Sequence, residues 1–314
     1  MIDRRTLLSA GAAATLTPSL LAAQGSGQGA TPPIRRFMVG GLEAIVISDG
    51  FSVRPDVTRG LVANATQAEV AAVTSAAGIT GTAMQNPFNV TLVRTPAGLV
   101  ALDAGNTPGT APTTGQFAIN MRAAGLDPAQ VVLVANTHFH GDHIGGLTLN
   151  DGTAVFPNAA LAVPEAEFAF WTDAGEESRA AEFRRPGFTN ARRRLAPYMS
   201  KLTRFAPGAT IAPGITAVAS PGHSPGHASF LVADGSAQLL VVGDAISTPI
   251  FFMANPEWYA IFDQDPPLAV ATRRALMDRA VADRLELVGY HFPTPGVGRV
   301  ERAGTGYRLV PSNA

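Results

Sequence analysis

Residues 131–146 read VVLVANTHFHGDHIGG, and this stretch decides the fold. The β-branched run from Val131 to Val134 predicts a buried strand, which passes into a polar loop closed by Gly145-Gly146. That loop holds three of the six histidines of the chain, together with one aspartate. Imidazole and carboxylate groups are preferred ligands of zinc and similar divalent ions. The stretch therefore predicts a metal site just past the end of a strand.

The spacing inside this loop predicts two ligand pairs. An extended backbone points His138 and His140 to the same side, because side chains alternate along it. Asp142 and His143 follow Gly141, which can turn the chain and direct a second pair at a neighbouring point. One loop can thus offer two ligands to each of two adjacent ions. A chance group of surface histidines is a poor explanation, since half of all histidines lie here.

Length and composition narrow the class of protein. The chain has 314 residues, of which 46% are apolar, so it can bury a large core. The net charge of −1 gives no reason to expect nucleic-acid or membrane-surface binding. The chain has no cysteine, which excludes disulfides, thiol nucleophiles and Cys-ligated metals. Nothing marks a second domain within residues 35–312.

The first residues have the composition of an export signal. Arg4-Arg5 precede a mild Ala/Leu/Thr stretch that runs to about Ala23, and a Gly/Ser/Gln linker follows. We interpret residues 1–28 as a twin-arginine-type signal peptide and linker, which predicts a periplasmic or secreted protein. An amphipathic helix on the domain is the alternative. The stretch lacks the apolar length of a spanning helix, so we expect no stable membrane insertion.

Strands and helices alternate along the rest of the chain. We expect hairpins over 36–47 and 90–103, the first ended by a turn at Ser48-Asp49-Gly50, and helices over 67–76, 116–124 and 267–283. The arginine clusters between 173 and 200 predict a solvated helix face. Runs of strands punctuated by helices predict an α/β (α+β) protein with two packed sheets and helices outside.

Three later polar residues, His223, Asp244 and His291, also follow apolar strands. With them, the His-x-His-x-Asp-His pattern resembles the metallo-β-lactamase superfamily, which implies an αβ/βα four-layer sandwich. The resemblance implies that the first metal is held by His138, His140 and His223. It implies that the second is held by Asp142, His143 and His291. Asp244 would bridge both ions.

The resemblance also suggests supporting residues. Asp103 ends a strand where the superfamily commonly carries a structural aspartate, so it is expected to orient a ligand histidine, although a plain turn is the alternative. His227 is expected either to support a ligand or to be structural. We expect pocket aromatics at four positions, with ordinary core as the alternative: Trp171, Phe188, Phe251 and Trp258.

Later motifs narrow the branch. Pro-Gly-His-Ser-Pro-Gly-His at 221–227 and the terminal Gly306–Pro311 segment look like methyl parathion hydrolase and its relatives, a branch that adjoins acyl-homoserine lactonases. Its members hydrolyse organophosphate triesters, lactones or aryl esters, so the resemblance implies a small-molecule substrate and no nucleic-acid partner. Where known phosphotriesterases carry bulky apolar residues, this chain has Pro108-Gly109-Thr110, which favours lactones or aryl esters, with organophosphates as a side activity.

The resemblance therefore implies a dinuclear hydrolase with two divalent ions per chain, first of all Zn²⁺, with Mn, Fe or Co as alternatives. Two ions that share a water molecule lower its pKa until a bridging hydroxide exists near neutrality. Asp142 is expected to orient this nucleophile or to shuttle a proton to the leaving group. The alternatives are a dedicated phosphotriesterase and a catalytically silent metal-binding protein. Close relatives form dimers, which suggests a homodimer.

Overall fold

The computed structural model describes residues 34–312, so the predicted signal peptide and linker lie outside the described residues. Two seven-stranded sheets dominate the described chain. The strands of the first sheet are β1 Ile34–Val39, β2 Leu42–Arg54, β3 Met84–Thr95, β4 Gly98–Leu102, β5 Val131–Ala135, β6 Ala160–Pro164 and β7 Leu202–Phe205. Those of the second sheet are β8 Thr210–Ala212, β9 Ile215–Ala219, β10 Ala228–Asp234, β11 Ala237–Val241, β12 Glu286–Val288, β13 Val297–Ala303 and β14 Gly306–Pro311.

Each sheet is mixed and keeps its strands in chain order. The first runs from β1 to β7, with antiparallel hairpins up to β4 and parallel neighbours from β4 to β7. The second runs from β14 to β8, and only β11 and β12 pair in parallel. Both predicted hairpins are confirmed, as is the strand at the start of the 131–146 stretch. Its expected full burial is wrong at Val132, which is 40% exposed.

The predicted turn at Ser48-Asp49-Gly50 is wrong. Strand β2 continues through these residues to Arg54, and the register against β3 shifts at a bulge between Ser48 and Gly50. The Asp49 carboxylate is buried and accepts hydrogen bonds from the backbone N–H groups of Asn106 at 2.7 Å and Phe117 at 2.8 Å. The turn-like residues therefore form a bulge within β2. The bulge is stabilised because backbone N–H groups from distant parts of the chain donate to the Asp49 carboxylate.

The core lies in three layers. Along β2, Ala44 and Val46 point between the sheets, whereas Ile45 and Ile47 point toward the helices on the other face. The inner layer also takes Phe230 and Val241 from the second sheet. The alternation within one strand therefore builds the predicted αβ/βα four-layer sandwich, and this fold is confirmed.

Eight α-helices cover the sheets or connect strands in the described residues. They are α1 Gln67–Ala76, α2 Phe117–Ala123, α3 Gly141–Ile144, α4 Glu165–Thr172, α5 Ala174–Arg179, α6 Arg185–Leu195, α7 Pro249–Phe252 and α8 Pro266–Ala282. Within residues 34–312, no helix combines the length and apolar character needed to cross a membrane.

One arginine of the predicted solvated face is buried. Arg194 is 4% exposed and donates to Thr107 Oγ1 at 2.7 Å, to Thr148 Oγ1 at 2.6 Å and to the Thr148 carbonyl at 3.1 Å. Its neighbours Arg192 and Arg193 are exposed, as expected. Successive residues of a helix point in different directions, so the side chain of Arg194 faces the core while its two neighbours face solvent. Its hydrogen bonds to Thr148 connect α6 to the loop after the metal-binding stretch.

Candidate metal centre

The loop after β5 holds its four polar residues together through a short helix. His140 lies on extended backbone just before the helix, and the ring centroids of His138 and His140 are 4.5 Å apart. Asp142 and His143 lie in the single turn of α3, which starts at Gly141. The expected change of direction at Gly141 is thus a helical turn, and it brings the second pair beside the first.

The ends of other strands deliver the remaining polar residues to this loop. His223 follows β9, Asp244 follows β11 and His291 follows β12. Two groups of side chains result, each with its donor atoms within 4.8 Å of one another. The first group is His138, His140, His223 and Asp244; the second is Asp142, His143 and His291. The structure therefore brings together all seven residues expected to bind metal.

Asp244 lies between the two groups. Its Oδ1 is 3.3 Å from His143 Nε2, while its Oδ2 is 3.3 Å from both His223 Nε2 and His291 Nε2. Oδ1 thus faces a ring nitrogen of the second group, and Oδ2 faces one ring nitrogen of each group. This is the geometry in which a single aspartate can serve two cations.

The buried polar atoms of the site fit a pair of divalent cations. His138 Nε2, His143 Nε2 and Asp244 Oδ1 are buried and have no hydrogen-bond partner among the described residues. His140 Nδ1 and His223 Nε2 face each other at 2.9 Å. Unpaired buried nitrogens are costly, and convergent lone pairs of this kind are what zinc and related ions bind.

The histidines of the site differ in their pKa values, because burial and neighbouring charges act on each of them differently. Burial lowers the pKa of His138 well below its usual range, and the neighbouring His143 lowers it further. Burial also lowers the pKa of His223 and His291, but Asp244 and the other adjacent carboxylates outweigh it and raise the values to about 9 and about 10. Metal ions and protons therefore compete for the same nitrogens.

Asp103 contacts one ligand histidine directly and a second one through Thr137. Its Oδ2 lies 2.8 Å from His143 Nδ1, and its Oδ1 accepts the backbone N–H of Thr137 at 2.8 Å. The hydroxyl of Thr137 also contacts His138 Nδ1 at 3.0 Å. Asp103 has a φ of +68°, which few residues besides glycine, asparagine and aspartate adopt. The geometry matches the expected orienting role rather than a plain turn.

His227 lies behind Asp244 rather than among the donor atoms of either group. Its Nε2 accepts the backbone N–H of Asp244 at 3.0 Å, so its proton is on Nδ1, 2.8 Å from Ser220 Oγ. Gly243, the residue before Asp244, has a φ of +54°, and a Cβ at this position would lie 2.7 Å from His227 Nε2. His227 thus holds the backbone that carries Asp244.

Two supporting carboxylates were missed by the sequence analysis. Asp263 Oδ1 lies 2.9 Å from His223 Nδ1, and Asp263 Oδ2 accepts from the buried Arg273 at 3.1 Å. Glu167 is fully buried and accepts from the backbone N–H groups of Phe139 at 3.0 Å and Gly226 at 2.8 Å. Both carboxylates have the sequence context of ordinary helix-start acids, and only the tertiary fold reveals their partners.

The expected pocket aromatics are largely core residues. Phe188 and Phe251 are 0% exposed and Trp171 is 2% exposed, so in this structure they cannot form an open pocket wall. Trp171 lies 5.9 Å from the His140 ring and donates to Glu167 at 2.6 Å, so it supports the site from behind. Trp258 is half-buried and packs on the cluster that contains Phe251. The pocket assignment is therefore corrected to core for the three buried rings.

A cavity of about 500 Å³ opens beside the loop that holds His223. None of the four expected aromatics lines it. Its lining includes Phe170, Arg179, Arg184, Gly222, Gln264 and Leu268. Gly222 directly precedes His223, so the cavity borders the first ligand group.

Comparison with known proteins identifies the family. Residues 86–298, more than half of the chain, match the metallo-beta-lactamase superfamily. This protein therefore belongs to the metallo-β-lactamase superfamily, as the resemblance of its motifs implied.

The sequence relatives support the lactonase-like branch. Over 137 residues, the chain is 38% identical to an N-acyl homoserine lactonase, AttM, of Azorhizobium caulinodans and 35% identical to the AttM protein of Agrobacterium fabrum. The aligned segment is 41% of this chain and 46% of each relative, so the match spans about half the length of these lactonases.

Solved structures share the whole fold. AidC, described as a dizinc quorum-quenching lactonase, superposes with a TM-score of 0.84 at 22% identity, over 90% of this chain and 99% of AidC. AbOPH, described as a hydrolase in the beta-lactamase superfamily, gives 0.83 at 24% identity, over 90% and 98% of the two chains. At these identities the likeness concerns the fold.

Proposed function

We propose that this protein is a dinuclear zinc hydrolase that opens lactone rings. The observation that carries the proposal is the position of Asp244, whose two oxygens face donor nitrogens of both ligand groups at 3.3 Å. The similarity to two proteins named N-acyl homoserine lactonases supports the choice of lactones, and of N-acyl homoserine lactones as the first substrates to test.

The residues divide the work of ring opening among them. Two divalent ions held by the two groups would lower the pKa of a water molecule and polarise the lactone carbonyl. Asp103, His227 and Asp263 fix the orientation of the ligand side chains from the protein side. Because these supports are buried, the donor atoms stay aligned while the substrate changes shape.

Asp142 is the residue we assign to proton transfer. Its side chain is 26% exposed, whereas Asp244 is nearly buried, so Asp142 can reach both the metal centre and a substrate above it. Burial raises the pKa of Asp142, but His143 and His291 outweigh that effect and lower it to about 2. The ionised carboxylate can accept a proton from the attacking water and pass it to the ring oxygen as the acyl C–O bond breaks.

The test compares kcat/KM for an N-acyl homoserine lactone, an aryl ester and a methyl phosphotriester on zinc-loaded protein. We expect the lactone to be the best substrate, and His140→Ala to abolish turnover while leaving the protein folded. A dominant phosphotriester rate would instead support the dedicated phosphotriesterase. Absence of turnover with metal bound would support the catalytically silent alternative.

We further propose that the hydrolase is exported, on the basis of Arg4-Arg5 and the weak apolar stretch that follows. A reporter fused after residue 35 tests this proposal. Export should depend on both arginines, and an Arg4→Lys, Arg5→Lys double variant should retain the reporter in the cytoplasm. Sedimentation of the mature protein would test the expected homodimer.

A further inference from the structure

Arg54 is a partly buried cation whose side chain forms no hydrogen bond or ion pair within residues 34–312. It is the last residue of β2, where it pairs with Met84 of β3. Its Nε is buried and makes no hydrogen bond among the described residues. Its guanidinium carbon lies 5.2 Å from the centroid of the Phe262 ring. This cation–π contact places the guanidinium on the ring and leaves its N–H groups available.

Both partners in this contact adjoin supports of the metal centre. Phe262 directly precedes Asp263, which lies 2.9 Å from His223 Nδ1. The strand that pairs with Arg54 continues to Pro87, whose carbonyl oxygen accepts a hydrogen bond from His291 Nδ1 at 2.9 Å. Phe262 therefore adjoins a support of the first ligand group, and the strand beside Arg54 carries a support of the second group three residues further on.

The charge of Arg54 acts within the same site. Burial lowers the pKa of Arg54, and the negative charge of Asp142 opposes that change. No carboxylate of residues 34–312 forms an ion pair with Arg54. A desolvated cation near two divalent ions is electrostatically unfavourable unless another group compensates it.

Two well-buried arginines show what a purely structural role looks like here. Arg273 donates to two carbonyl oxygens and to the Asp263 carboxylate, and Arg194 donates to several oxygens of the surrounding chain. Arg54 makes no such bond within the described residues, although its Nε is buried. The described fold therefore leaves the Nε–H of Arg54 unused, as it does that of Arg35.

The residues around Arg54 indicate the chemistry of a ligand that would suit this place. Phe262 and its neighbour Ile261 are 40% and 42% exposed, which is high for large apolar side chains. A partner that suits this place presents an acceptor oxygen to the guanidinium and an alkyl chain to the two apolar residues. An acylamino group has both features, since its carbonyl oxygen adjoins its alkyl chain.

We propose that Arg54 is a specificity-determining residue, which donates to the carbonyl oxygen of an acylamino arm on the lactone ring while Phe262 packs on the alkyl chain. This inference rests on the proposed lactonase function. Arg54 would distinguish N-acylamino lactones from lactones without such an arm. Arg54 does not touch the reacting carbonyl, so it acts on selectivity through binding.

The kinetic test uses the full zinc-loaded enzyme and the ratio of kcat/KM for N-hexanoyl homoserine lactone over γ-butyrolactone. A hydrogen bond to a charged group is worth roughly tenfold to a hundredfold in binding, so Arg54→Met should lower the ratio by about tenfold or more, mainly through KM. Arg54→Lys should lose less, since it keeps the charge but not the planar fork. The matched control, Arg59→Gln, removes an exposed arginine that pairs with Asp56 and should leave the ratio within about twofold. An unchanged ratio in Arg54→Met, including equal losses on both lactones, overturns the inference.

A binding test separates this inference from the lactonase proposal. The γ-lactam analogues of the two substrates resist ring opening, so calorimetry measures their binding without turnover. We expect the wild-type protein to bind the hexanoylamino lactam at least about tenfold more tightly than the bare lactam, and Arg54→Met to lose that preference. If lactones are not hydrolysed but the preference is present, only the proposed reaction fails. If the preference is absent, or is retained in Arg54→Met, the inference about Arg54 is wrong.

Discussion

Asp103 Oδ2 lies 2.8 Å from His143 Nδ1, and this contact determines which nitrogen of the imidazole faces the metal centre. A carboxylate accepts only, so the proton of a neutral His143 is held on Nδ1. The lone pair then remains on Nε2, which is buried, has no hydrogen-bond partner in the described part of the chain and lies 3.3 Å from Asp244. One buried aspartate thereby prepares a ligand of the second group.

Asp103→Asn should weaken metal binding while preserving the backbone. Asparagine tolerates the φ of +68°, and its oxygen can still accept from Thr137 N–H. Its amide would then donate to His143 Nδ1 and move the imidazole proton to Nε2. We expect zinc affinity to fall by about 10–100-fold, measured by competition with a chelator. Asp151→Asn, in an exposed turn, is the control, and equal affinities in the two variants would refute the role of Asp103.

Asp263→Asn should lower the free energy of unfolding. Asp263 and Arg273 are each 1% exposed on their side chains, so removing one charge leaves the other buried and uncompensated. The free energy of unfolding should fall by about 3–5 kcal/mol, measured by urea denaturation. Asp265→Asn is a matched control, because asparagine caps a helix as well as aspartate does. A loss below 1 kcal/mol in Asp263→Asn would contradict the proposed buried pair.

Arg194→Met tests the buried member of the arginine run. Methionine keeps much of the apolar stem but leaves Thr107 and the Thr148 carbonyl without their donor. We expect the free energy of unfolding to fall by about 2 kcal/mol in denaturant titrations. The adjacent exposed variant Arg193→Met should change it by less than about 0.5 kcal/mol. Similar losses at both positions would mean that burial of Arg194 has no special importance.

Zinc should stabilise the fold strongly. Free metal at 1,000 times its Kd adds about 4 kcal/mol to the free energy of unfolding, provided that the unfolded chain does not bind it. For a chain of this size, Tm should rise on the order of 10 °C over the chelator-treated protein, measured by scanning calorimetry. The shift should be smaller in His223→Ala, which removes a ligand of the first group. The same Tm with and without zinc would argue against a built metal site.

The ligands were predictable from sequence because each lies just past a recognisable strand. His138, His140, Asp142 and His143 share one short loop, and parallel strand ends bring the later ligands to the same edge. Asp263 could not be found in this way. Its partner His223 is 40 residues away, and the Asp-Gln-Asp-Pro segment around it is typical of a helix start.

The remaining errors have the same cause. Ser48-Asp49-Gly50 has turn composition, yet the partners of the Asp49 carboxylate are 57 and 68 residues away and hold a bulge instead. Phe188 and Phe251 are as apolar in the core as they would be in a pocket, so sequence alone could not assign them. Local pattern predicted the elements, whereas long-range hydrogen bonds and packing decided these details.

The most direct test of the central claim is a zinc titration of the chelator-treated protein, with bound metal and N-acyl homoserine lactone turnover measured on the same samples. The two ligand groups and the shared Asp244 predict that turnover reaches its maximum at two zinc ions per chain. They also predict that chelator-treated protein has no turnover. Full turnover at one ion per chain, or turnover that survives metal removal, would contradict a dinuclear lactonase.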